Sequence, residues 1–101
     1  MNLITDENYK EYAKKGDIAK LVTTLSEKLN ISYEEARAKL PVLVKCLTKK
    51  QLDIIVLYYY QGMNILDIAI LLQEGRQYSR YLDRIHKAID RMVRYANSHA
   101  I

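Results

Sequence analysis

Six cations recur at helical spacing near the end of the chain: Arg76, Arg80, Arg84, Lys87, Arg91 and Arg94. At about 100° per residue they fall within one narrow sector of a helix. A row of guanidinium and ammonium groups suits the phosphates of a nucleic-acid backbone. Gln77, Ser79 and Asp83 are interleaved with the first of these cations. Gln can bond two atoms of an adenine edge, and Arg two atoms of a guanine edge. Gln77, Ser79, Arg80, Asp83 and Arg84 are therefore candidate base-reading residues. Arg76 completes the stripe. Lys87, Arg91 and Arg94, with Lys49 and Lys50 upstream, are candidate phosphate contacts that set position rather than sequence. The competing reading of the same residues is a solvated helix face.

Composition narrows the alternatives. The chain has 101 residues, 16 Lys+Arg against 12 Asp+Glu, and a formal net charge of +4. Between Arg76 and Arg94 lie six cations and two acids, Asp83 and Asp90, a local +4 that equals the whole excess. The chain length fits one domain. One cysteine, Cys46, rules out an internal disulfide and suits a reducing, cytoplasmic setting. No apolar run approaches the ~20 residues that span a bilayer, and no secretory leader pattern opens the chain, so no membrane partner is expected. The sequence offers no paired carboxylates in a plausible cleft, no nucleophile motif, no Gly-rich phosphate loop and no Cys/His zinc spacing. The expectation is a protein that is not an enzyme and carries no cofactor or metal.

The elements that must position these residues read as helix after helix. Thr5 caps a first short helix that Gly16 ends, and Asp17 caps a second. Ile18, Leu21, Val22, Leu25 and Leu29 form its apolar stripe, and Asn30 takes the left-handed turn. Ser32 to Glu35 has capping-box spacing and opens a third helix. Pro41 disfavours helical geometry at Leu40, which places a break or kink there. Val42, Leu43, Val44 and Cys46 read as buried. Thr48 to Gln51 is a second capping box, and the apolar run Leu52 to Tyr60 should be a central helix closed by Gly62. Asn64 caps a short helix through Leu72, residues 73–76 read as a turn, and a long helix runs from about Gln77 to Ala96. On that helix Tyr78, Leu82, Ile85, Ile89, Met92 and Ala96 face away from the cations. Strand and hairpin signals are lacking. The expected fold is all-α, about five to six helices, with an N-terminal helical part (1–46) and a C-terminal helix-turn-helix part (47–101).

Leu47-Thr48, the apolar run to Tyr59, Gly62, Ile65, Ile68-Ala69, Leu71-Leu72 and then Arg84-Ile85-His86-Lys87-Ala88-Ile89 form an ordered set. This set resembles region 4 of bacterial sigma factors, over about Leu47 to Arg94. The resemblance implies a helix-turn-helix that reads the major groove of double-stranded DNA and regulates transcription. It also implies a possible contact with RNA polymerase. Ala69 would allow close helix crossing, and Ile68, Leu72, Leu82 and Ile85 would fill the core beneath. The chain departs from the family in one place. From Ala69 to the Arg-Ile-His motif it is two residues longer, with Gln73 where the family has Gly and Gly75 two positions later. The length leaves no room for the sigma region that engages the promoter −10 element. A stand-alone regulator, a split sigma subunit or a phage- or mobile-element-encoded activator would fit, and a homodimer is compatible with each.

The alternative is a protein-interaction module that binds polymerase or a sigma factor without reading DNA; its mark would be an exposed apolar patch around Ile54, Leu57 and Tyr58. Leu25 to Ser32 with Ala36 resembles sigma region 3, but Glu34 and Glu35 would repel phosphate and favour a packing or protein-contact role. Tyr58, Tyr59 and Tyr60 read as packing residues rather than a stacking platform, because consecutive helical residues point in different directions. Tyr78 and Tyr81 stand open between core and DNA contact. His86 and Cys46 read as structural.

Overall fold

The computed structural model describes residues 18–72 and 78–99. The expected Thr5 helix, its Gly16 end, the Asp17 cap, the turn at 73–76 and the side chains of Arg76 and Gln77 lie outside the described residues. Five α-helices follow in order: α1 (Ile18–Leu29), α2 (Tyr33–Leu43), α3 (Lys49–Ile55), α4 (Ile65–Leu72) and α5 (Tyr78–Ser98). A 3-10 turn (Val44–Cys46) lies between α2 and α3, and a π-helical turn (Val56–Tyr60) extends α3. The fold is all-α, with no strand among the described residues.

Among the described residues the expected caps form, the Ser32 box in one direction only. Asn30 has φ 56°, and α1 ends in a full Schellman arrangement: Ile31 N donates to Ser26 O at 3.0 Å and Asn30 N to Glu27 O at 3.3 Å. Asn tolerates this left-handed position better than other non-glycine residues. Ser32 Oγ accepts from Glu35 N at 3.1 Å. At Thr48 the box closes both ways, with Gln51 N donating to Thr48 Oγ1 (3.3 Å) and Thr48 N to Gln51 Oε1 (3.1 Å). Asn64 Oδ1 accepts from Asp67 N at 2.8 Å to open α4.

Two expectations need correction. Helix α2 runs through Pro41 to Leu43 instead of breaking at Leu40. Pro41 is exposed and lies in the last turn, so the missing N–H costs one bond and no buried group. The break falls later, at the 3-10 turn and Leu47, whose ψ of 147° is extended. Val42 is 43% exposed, whereas Leu43 and Val44 are buried. The sequence also gave no sign of the π turn. Gln61 N donates to Val56 O at 2.8 Å, an i→i−5 bond, before Gly62 turns the chain at φ 72°.

The core is one contiguous cluster. Leu21, Val22 and Leu25 of α1, Ala36, Leu40 and Leu43 of α2, and Leu52, Ile54 and Ile55 of α3 meet Ile68 of α4 and Tyr81, Ile85, Ala88, Ile89 and Met92 of α5. Helix α5 packs against α1, α2, α3 and α4, so it is the spine on which the others rest. The apolar run Leu52 to Tyr60 is central, as its composition requires. The buried face of α5 is centred nearer Tyr81 and Ala88 than the stripe suggests. Tyr81 is fully buried, while Leu82 is only half-buried.

Tyr81 carries a cost. Its hydroxyl is buried and has no hydrogen-bond partner among the described residues. An unpaired buried polar group costs about 1–3 kcal/mol. Tyr81→Phe removes the hydroxyl and keeps the ring, so it should stabilise the fold by about 1 kcal/mol or more. Urea unfolding measures this; a loss of stability would mean that the hydroxyl has a partner after all.

Candidate nucleic-acid interface

The spacing of α5 puts its cations on the side opposite its core residues. Ser79, Arg80, Asp83, Lys87, Arg91 and Arg94 are exposed, and Arg84 is half-buried. The Arg84 guanidinium carbon lies 5.4 Å from the Tyr81 ring centroid, a cation–π contact that holds it against the helix. Tyr81 thus belongs to the core and supports Arg84 from beneath.

The N-terminal turn of α3 supplies the second wall. Lys50, Gln51, Arg80, Asp83, Arg84 and Lys87 line one shallow concavity of about 230 Å³. Four cations and one carboxylate therefore border a single depression built from residues some 30 positions apart in the chain. The capping box fixes the direction of this turn. It separates the two adjacent lysines: Lys50 borders the depression, while Lys49 Nζ is held by Asp53 Oδ1 at 2.7 Å. Gln51 is a site residue that sequence reasoning assigned only to the cap.

Arg91 has a structural bond as well. Its Nε donates to Cys46 O at 2.6 Å, tying α5 to the 3-10 turn. Arg91, Arg94, Tyr95, Ser98 and Cys46 border a second open concavity of about 460 Å³. The cationic face therefore runs on past the first depression toward the end of α5, where Tyr95 and His99 stack with centroids 3.9 Å apart. Burial pushes the Cys46 thiol above its ordinary pKa, and the Arg91 charge only partly opposes this. The thiolate is the reactive form. Iodoacetamide should accordingly alkylate Cys46 more slowly in the folded protein than in urea, and Arg91→Ala should slow it further if the fold is kept. Equal rates folded and unfolded would contradict the burial effect.

The apolar patch expected around Ile54, Leu57 and Tyr58 is not exposed. Ile54 and Leu57 are buried in the core and Tyr58 is half-buried, because α3 and its π turn are enclosed by α1, α4 and α5. The exposed apolar pair is Leu66 and Ile70, 62% and 65% exposed and one turn apart on α4. Tyr60 is buried, and Tyr58 and Tyr59 are half-buried and edge-to-face. His86 is exposed. No group of three potential metal ligands occurs among the described residues, and no described helix is long and apolar enough to cross a membrane.

Comparison of the chain with protein-family models, with curated proteins and with solved structures finds no match.

Proposed function

We propose that this chain is a sequence-specific double-stranded DNA-binding regulator of transcription, built on a sigma region 4-like helix-turn-helix. The observation that carries this reading is the cationic depression shared by the start of α3 and the exposed face of α5. In this reading the first turns of α5 enter the major groove, with Ser79, Arg80, Asp83 and Arg84 at base edges; Gln77, a further candidate, lies outside the described residues. Lys50 and Lys87 grip phosphates on either side, with Lys49 and Arg91 further out; Arg76, a further candidate, lies outside the described residues. The protein acts in the cytoplasm without catalysis.

The test is binding to random and selected duplexes at two salt concentrations. Affinity should fall with salt at a log-log slope of about −0.9 per phosphate contact, and the selected duplex should bind more tightly than the random pool. Absence of duplex binding at low salt would sink the proposal. The exposed pair Leu66 and Ile70 favours a second reading, docking onto RNA polymerase or a sigma factor without DNA readout. A pull-down against polymerase at salt that strips DNA separates the two.

A further inference from the structure

On another side of α5 the fold builds a groove that DNA reading does not use. Three adjoining concavities, of about 460, 450 and 370 Å³, share residues along the seam between α1, the π turn and α5. One rim is the stripe Lys20, Thr24 and Lys28, which recur at every fourth residue of α1. The floor is Tyr58 and Tyr59, half-buried, with ring centroids 4.9 Å apart at 87°. The π turn sets both rings beside the same groove, and such turns are frequent at functional sites. His86 and Asp90 of α5 close the end next to Lys28.

The charged groups on the groove are two ammonium groups, Lys20 and Lys28, and one carboxylate, Asp90. Lys20 and Lys28 are exposed, and the Lys49–Asp53 ion pair lies elsewhere. Thr24 Oγ1 donates its proton to Lys20 O at 2.9 Å. Burial, with a smaller effect from Tyr58, holds the Tyr59 hydroxyl above its ordinary pKa. Two lysines whose backbone positions lie about 12 Å apart along α1, with an aromatic and apolar floor between, complement carboxylates that flank apolar side chains.

We propose that this groove binds an acidic, amphipathic segment of a partner protein. A nucleic-acid strand fits the same residues poorly, because the edge-to-face pair offers no parallel ring faces for successive bases. His86 and Asp90 lie on a different sector of α5 from Arg80, Arg84 and Lys87, so a peptide here leaves the cationic face open.

The test needs no DNA. A random-peptide display library is selected on the full chain, and the selected peptides are titrated by anisotropy. Enrichment in Asp and Glu beside Leu or other apolar residues is expected. Lys20→Glu with Lys28→Glu should weaken those peptides by at least roughly tenfold, as charge reversal at a complementary surface does. Lys45→Glu, the same kind of change on an exposed lysine outside the groove, should leave them unchanged. Circular dichroism checks that both variants fold. Peptides without acidic enrichment, or peptides that bind the groove variant as well as the Lys45 variant, would overturn the proposal. So would a short oligothymidylate that displaces the peptides and loses affinity in the same groove variant. Duplex binding is measured separately, so failure of the DNA reading leaves this result standing.

Discussion

Replacing Arg80 and Lys87 with alanine is expected to give two distinguishable losses of DNA binding. Both side chains are exposed on α5 and border the same depression, so neither change removes core packing. Lys87 is assigned to phosphate. Its loss should weaken all duplexes nearly equally and reduce the salt slope by about 0.9. Arg80 is assigned to a base edge. Its loss should cost about 1–3 kcal/mol on the selected site, much less on random duplex, and relax specificity. The double variant should bind the selected site more weakly than either single variant, with roughly 5- to 150-fold of the loss coming from Arg80 if both assignments hold. Anisotropy titrations on both duplexes at two salt concentrations read all of this. If Lys87→Ala leaves the slope untouched, the depression does not hold phosphate.

Leu25→Ala should be the most damaging single substitution among those considered for stability. Leu25 is fully buried on α1, in the cluster that includes the inner face of α5. Truncating a buried leucine costs about 2–5 kcal/mol, a large part of the roughly 5–15 kcal/mol that holds a domain together. At about 4–8 °C per kcal/mol for a chain near this size, melting should fall by some tens of degrees at the upper end. Because α1 and α5 share one core, the loss should appear as one cooperative transition shifted as a whole. Two transitions, only one of which moves, would show that the first helices and the DNA-facing helix unfold independently. The substitution lies away from the cationic depression, so below the new melting point duplex affinity should be nearly unchanged.

The helices were legible because their signals are local. Thr48 and Gln51 meet within a single turn, Asn30 needs only its own backbone, and the stripe on α5 needs only the period of a helix. Pro41 misled for an equally local reason. The preference it imposes on Leu40 is worth little in a last turn whose proline ring faces solvent. The π turn at Val56–Tyr60 had no local signature, since its bonds depend on how Tyr60 and Leu57 are packed from other elements. Tyr81 was ambiguous because it sits at the edge of the apolar sector, where a small rotation of α5 decides between core and surface. The exposed apolar patch was misplaced for a related reason: composition shows which residues are apolar, but not which helix encloses them.

By itself the sequence determined an all-helical chain, its caps, and the separation of cations from core residues on α5. These follow from spacing along one backbone, and spacing fixes angular position about a helix axis. Only the tertiary structure decided which neighbours those faces meet. It set Lys50 beside Arg80 and Lys87 while holding Lys49 on Asp53, sank Tyr81 beneath Arg84, and opened the tyrosine groove along α1. Those outcomes depend on how α3 and α1 pack against α5, and that packing is set by shape complementarity among side chains distant in sequence.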